Sequence, residues 1–171
     1  MALEDSRERY GAVSRLLHWV TALLVTPQLV STYMNSWQPG NAFSQVFQPW
    51  HATIGFGILG LLMLRVVWLL VQLSNRPPHQ GKAVLIGHVS IYLLLLATPL
   101  SGILQGYGIR LFDRLVSKGI DTPFTDISQA LHGPLAYILT VLVLGHIFMV
   151  LLHHGVHQDG TLNRMVGQAK S

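Results

Sequence analysis

The sequence contains no cysteine. Disulfides, zinc–thiolate sites, iron–sulfur clusters and the C-x-x-C-H attachment of c-type haem are therefore excluded. Charge is also scarce: 11% of the 171 residues are charged, against about 25% in an ordinary soluble domain. Half the residues are hydrophobic, so the missing charge points to a membrane. The formal net charge of +4 does not indicate a nucleic-acid partner, because the basic residues flank hydrophobic segments, where they act as topology signals. The polar stretch Met1–Arg9 has mixed charge and reads as having no cleavable signal peptide.

The apolar residues fall into four runs. A spanning helix needs roughly 20 mostly apolar residues, and segments at about 15–33, 50–73, 84–105 and 131–154 meet that requirement. The expected fold is all-α, an integral membrane four-helix bundle forming a single domain over residues 1–171. Asn35–Pro49 links the first two spans and carries Pro39-Gly40 as a turn signal. Ser74–Lys82 contains Pro77-Pro78. The longest link, Gly106–Gln129, holds the mid-chain acids, and a short surface helix is expected near Ile109–Ser117.

With four spans both termini share one side. Arg7, Arg9, Arg15, Arg65, Arg76, Lys82, Arg164 and Lys170 fall on that side, and Arg110, Arg114 and Lys118 on the other. Eight against three places both termini in the cytoplasm and the long link outside.

Histidine is plentiful at nine residues. Ionisable side chains inside a span are costly and are functional candidates by default. His18, His51, His88, His132, His146 and His153 qualify. Any one of them could be a hydrogen-bonding packing residue, but six at matching depths in four helices point to ligation. His18 opens the first span near the cytoplasm, while His51 and His132 open the second and fourth near the exterior. His146 follows His132 by fourteen residues, almost four whole turns and a rise of about 21 Å, which brings it level with His18. Two facing pairs result, His51 with His132 and His18 with His146. Each could clamp one planar haem, giving a short electron path across the bilayer.

Small residues suit close approach by a porphyrin: Gly55 is one turn from His51, Gly145 precedes His146, and Gly102 lies fourteen residues from His88. Gly55-Phe56-Gly57-Ile58-Leu59-Gly60 matches G-x-G-x-x-G, but it sits inside a span without the strand and βαβ unit that a dinucleotide site requires. Helix packing through small residues explains it about as well as haem contact. Arg65, fourteen residues after His51, is a candidate partner for haem propionates; the alternative is a snorkelling arginine. His88 and His153 exceed the axial requirement at the cytoplasmic level. They could hydrogen-bond a quinone and deliver protons, or one of them could replace an axial ligand. His154 points about 100° away from His153. His79 and His157 read as solvated loop residues, and Trp19, Trp37, Trp50 and Trp68 as an interfacial belt.

The chain resembles the bacterial cytochrome b561 family. The resemblance rests on Arg15-Leu16-Leu17-His18-Trp19, on Trp50-His51 with Arg65, and on Gly87-His88-Val89-Ser90-Ile91-Tyr92 with Pro99 and Gly102. His132, Gly145-His146 and His153-His154 complete it, so that nearly the whole chain is covered. It implies a four-helix bundle with two b haems in a bacterial inner membrane. The implied axial ligands are His18 and His146 for the cytoplasmic haem and His51 and His132 for the periplasmic haem, with quinone contacts at His88 and His153. It further implies superoxide oxidase activity, in which superoxide or another small donor outside yields an electron and ubiquinone is reduced. A cationic external surface would speed the encounter with an anion, but Arg110, Arg114 and Lys118 are offset by Asp113, Asp121 and Asp126. An alternative role is an electron-relay subunit anchoring a partner dehydrogenase or hydrogenase. A third, a histidine-lined metal transporter, is disfavoured by the lack of membrane carboxylates.

Overall fold

A computed structural model describes residues 2–78, 81–158 and 160–167. His79 and Lys170, read above as a loop residue and a topology signal, lie outside them. Four helices are long and apolar enough to cross a membrane. They are α1 (Ala12–Trp37), α3 (His51–Val71), α4 (Lys82–Ile103) and α5 (Thr125–Leu152); short α2 (Ala42–Phe47) precedes α3, and short α6 (Thr161–Val166) follows α5. In hydrocarbon each backbone N–H and C=O must find its partner within the chain, which leaves the helix as the available form for these runs. Pro27, Pro99 and Pro134 lie inside spans, where neighbouring groups make the lost bond tolerable.

The bundle is apolar on its outside. Leu16, Leu23, Leu64, Val67, Ile86, Leu93, Leu144 and Phe148 are all exposed, a pattern that suits lipid. The buried apolar centre is small: Val25 of α1, Ile58 and Leu62 of α3, Leu95 of α4 and Leu139 of α5. α3 packs between α1 and α4, and α4 packs between α3 and α5.

Two departures from the sequence reading are instructive. Residues 109–117 form no helix; β1 (Ile109–Leu111) and β2 (Arg114–Ser117) pair antiparallel. Gly106 and Gly108 have positive φ, as do Phe112 and Asp113 at the hairpin tip, and two left-handed residues in mid-segment cannot continue a right-handed helix. α5 begins at Thr125, six residues before the expected start, because its first turn is polar and lies beyond the apolar run. Asp126 there complements the helix dipole.

The segment before α1 folds back against the bundle. The Asp5 carboxylate is fully buried and accepts from Gly11 N at 2.8 Å, Ser14 Oγ at 2.9 Å and Arg76 Nε at 3.1 Å. Ser14 Oγ accepts in turn from Trp68 Nε1 at 3.0 Å. The chain turns tightly at Gly11, where a Cβ would run into the Leu3 and Glu4 carbonyls. Arg76 also covers the Tyr10 ring, 5.3 Å from its centroid. Burial pushes the Tyr10 phenol above its ordinary range, so it stays neutral beneath that cation. Asp5→Ala removes the acceptor for three donors and is expected to weaken this clasp by about 2 kcal/mol. Trypsin cleavage at Arg7 or Arg9 should then accelerate roughly 30-fold. Unchanged cleavage kinetics would mean that the clasp does not hold this segment.

Candidate functional site

Each of four core residues stands seven positions from a histidine: His18 before Val25, His51 before Ile58, His88 before Leu95, and His132 before Leu139, with His146 seven after it. Seven residues are almost two turns and rise about 10.5 Å, so each histidine shares the inward face of its core residue. The apolar belt therefore separates two levels of inward-facing imidazoles.

The four helices bring those rings together in pairs. His51 and His132 have ring centroids 6.1 Å apart, and His18 and His146 6.3 Å. A metal–imidazole bond of about 2 Å plus roughly 1.1 Å to the ring centre puts two trans imidazoles about 6.2 Å apart. Both pairs stand at that spacing. His88 lies 5.3 Å from His146, too close for a partner on the opposite side of one iron. It sits beside the inner pair.

Short polar side chains set the outer pair. His132 Nδ1 is 3.0 Å from the Thr98 carbonyl and 3.0 Å from Ser101 Oγ. Ser101 itself donates to Thr98 O at 2.7 Å. An Nδ1–H donating to that carbonyl leaves the Nε2 lone pair for a metal, the usual way in which an outer contact fixes the tautomer. Gly102 admits the ring, since a Cβ there would stand 3.0 Å from His132 Cε1. On the facing side, Gln28 Nε2 donates to the His51 carbonyl at 2.9 Å. Ser44 Oγ donates to Ser31 O at 3.0 Å and ties α2 to α1. His51 Nδ1 is buried with no hydrogen-bond partner. The hairpin tip closes over this end. Phe112 N donates to Thr53 Oγ1 at 2.8 Å, and the Phe112 ring meets Trp50 edge-on at 6.1 Å.

At the inner level Arg65 Nη2 lies 3.3 Å from His18 Nδ1, and its guanidinium covers the Tyr92 ring at 5.1 Å. His88 Nδ1 is 2.7 Å from the Val84 carbonyl. α6 packs under this end, its Val166 and Met165 carbonyls accepting from Arg15 Nη1 at 3.0 Å and Trp19 Nε1 at 3.2 Å. His153 and His157 belong to a π turn that extends α5, with ring centroids 5.0 Å apart. His157 is exposed as expected, but it stands on this turn and not in a loop.

The prokaryotic cytochrome b561 family matches residues 9–168. The chain belongs to that family. It is 31% identical to cytochrome b561 homolog 2 of Escherichia coli K12, with 100% of this chain and 98% of the relative covered. It is 30% identical to a probable superoxide oxidase of Yersinia pestis, covering 93% of this chain and 96% of that protein. With cytochrome b561 homolog 1 of Escherichia coli K12 it shares 28% identity over 95% of this chain and 99% of the relative. It is thus a multi-pass membrane electron-transfer protein of a family that binds b-type haem.

The residues of this cytochrome fit such a group. Imidazole pairs at trans spacing suit haem iron, and a Cβ added at Gly55 or Gly145 would meet nothing within 4 Å. Gly57, by contrast, faces Leu24 of α1, 3.7 Å from an added Cβ, which is ordinary helix packing. Sequence reasoning missed Gln28, Thr98 and Ser101. Gln28 and Thr98 stand three positions after the core residues Val25 and Leu95, and Ser101 three after Thr98; that placement on the inward face was their only signal. Gly102→Val is expected to displace the His132 ring and to lower the haem absorbance per chain, whereas Gly87→Ala, with open space around it, should leave the spectrum unchanged. Equal haem content in both variants would remove the close approach as a requirement.

Proposed function

We propose that this cytochrome holds two b haems and passes electrons from superoxide outside to a quinone at the cytoplasmic side. The observation that carries the reading is the pairing of four imidazoles at trans spacing on two levels. When bound, haem supplies one-electron exchange at each level, its potential set by axial imidazoles and their hydrogen bonds. His51 and His132 would hold the outer iron, and His18 and His146 the inner. The Thr98 carbonyl orients His132, and Gln28 orients the first turn of α3. Arg65 is drawn toward propionate carboxylates, a partner better suited to a guanidinium than the Nδ1 of a ligated His18. His88 and His153 hydrogen-bond the quinone carbonyls and hand over protons taken from the cytoplasm.

The donor assignment draws on the printed name of the Yersinia pestis relative and on the hairpin beside the outer pair. Arg110 and Arg114 are exposed there, and Arg110 is only loosely held by Asp113, at 3.4 Å on the surface. An anion would be steered toward them. A second reading, a relay subunit for a partner dehydrogenase or hydrogenase, is supported by exposed Tyr107, Ile120 and Phe124 on the external link.

Purified cytochrome should contain two haems per chain, and His51→Ala or His132→Ala should lose one and retain the other. Stopped-flow mixing with superoxide should reduce the haems quickly, more slowly at high salt, and added quinone should reoxidise them. His88→Ala should keep both haems and slow quinone reduction by roughly a hundredfold or more. A colourless protein would sink the reading. Slow reduction by superoxide would remove the donor alone, and co-purification of a redox partner would favour the relay.

A further inference from the structure

α5 does not stop at the edge of its apolar run. It widens into the π turn His153–His157, and such turns are rare and frequently mark functional sites. The turn carries His-x-x-x-His, the spacing at which two imidazoles on one helical face ligate zinc. Their ring centroids are 5.0 Å apart with planes inclined at 50°. Two imidazoles bound cis to one tetrahedral ion, with bonds of about 2 Å, stand about 5 Å apart from centre to centre. The same arithmetic places trans imidazoles about 6.2 Å apart, so this pair is built for a different geometry from those in the bundle.

We propose that His153 and His157 form a site for a divalent late-transition-metal cation, with Zn²⁺ as the working case, and that its occupancy inhibits quinone reduction by engaging His153. The inhibition rests on the quinone role proposed for His153; the binding does not. Imidazole nitrogen suits zinc, nickel and copper, whereas calcium and magnesium need oxygen ligands. Among the described residues no cluster of three or more His, Cys, Asp and Glu surrounds the pair, and the site is proposed on the two imidazoles. His157 is exposed and gives the ion access from the aqueous side.

The test uses haem-loaded cytochrome in lipid nanodiscs, purified without a polyhistidine tag. Zn²⁺ binding is followed by calorimetry and quinone reduction by stopped flow. Zn²⁺ should bind, leave the haem spectrum unchanged and slow quinone reduction, while Mg²⁺ should do neither. His157→Gln should keep both haems and the uninhibited rate but weaken Zn²⁺ binding and inhibition by about tenfold or more. His154→Gln, on a different face, should bind Zn²⁺ as the parent does. Absence of Zn²⁺ binding, or equal binding by His157→Gln, overturns the site. Binding lost in His157→Gln without inhibition of the parent overturns the inhibition. Failure of the quinone role is read separately, as an unchanged quinone rate in His153→Ala without any metal.

Discussion

An imidazole in hydrocarbon is costly unless its ring nitrogens find partners, and that cost shapes the whole bundle. Water is absent, and an unsatisfied polar group there costs several kcal/mol. One nitrogen can share a helix carbonyl, as His132 Nδ1 meets Thr98 O at 3.0 Å. The other can be satisfied by a ring on another helix only if something bridges them, because rings with centroids 6.1 and 6.3 Å apart stand too far apart for a direct N–H···N hydrogen bond. A flat ligand with an electrophilic metal at its centre would fill that gap and give one nitrogen of each ring a partner. Helix tilt, register and the small core then have to deliver rings from separate helices to one spacing, twice.

The seven-residue offset between each histidine and its core residue achieves this with few parts. Val25, Ile58, Leu95 and Leu139 meet at one depth, so residues two turns above or below them also meet at common depths. Antiparallel neighbours convert one rule into two levels. Stepping back seven residues moves inward on α1 and α4, giving His18 and His88, and outward on α3 and α5, giving His51 and His132. Stepping forward on α5 returns to the inner level at His146. The apolar belt therefore both packs the bundle and measures the separation of the two imidazole levels.

Most of this was legible before any coordinates, because depth is encoded by counting along apolar runs and histidine is rare in them. The pairing of His51 with His132 and of His18 with His146 followed from span direction and helical rise alone. The ends were less legible. Asp5, Ser14, Trp68 and Arg76 are scattered through the sequence, and only the fold shows that one carboxylate gathers them. Ser101 and Gln28 look like tolerated polar residues until His132 and the His51 carbonyl are seen beside them. The hairpin at Ile109–Ser117 was misread because hydropathy carries little information in a nine-residue link, where the positive-φ residues decide the path.

Arg65 shows what the chain leaves unbalanced. It sits in the middle of the inner level, over Tyr92 and against His18, and a cation there calls for an anion. The chain has seven acidic residues, none inside the four apolar runs. Among the described residues the carboxylate ion pairs are Arg76 with Asp5 and Arg110 with Asp113, and neither involves Arg65. An aromatic face and an imidazole nitrogen are weaker partners than a carboxylate for a planar guanidinium. A bound ligand would supply a countercharge at this depth. A haem held by His18 and His146 would carry two propionates, so one molecule would meet the arginine's demand for charge and the histidines' demand for a metal.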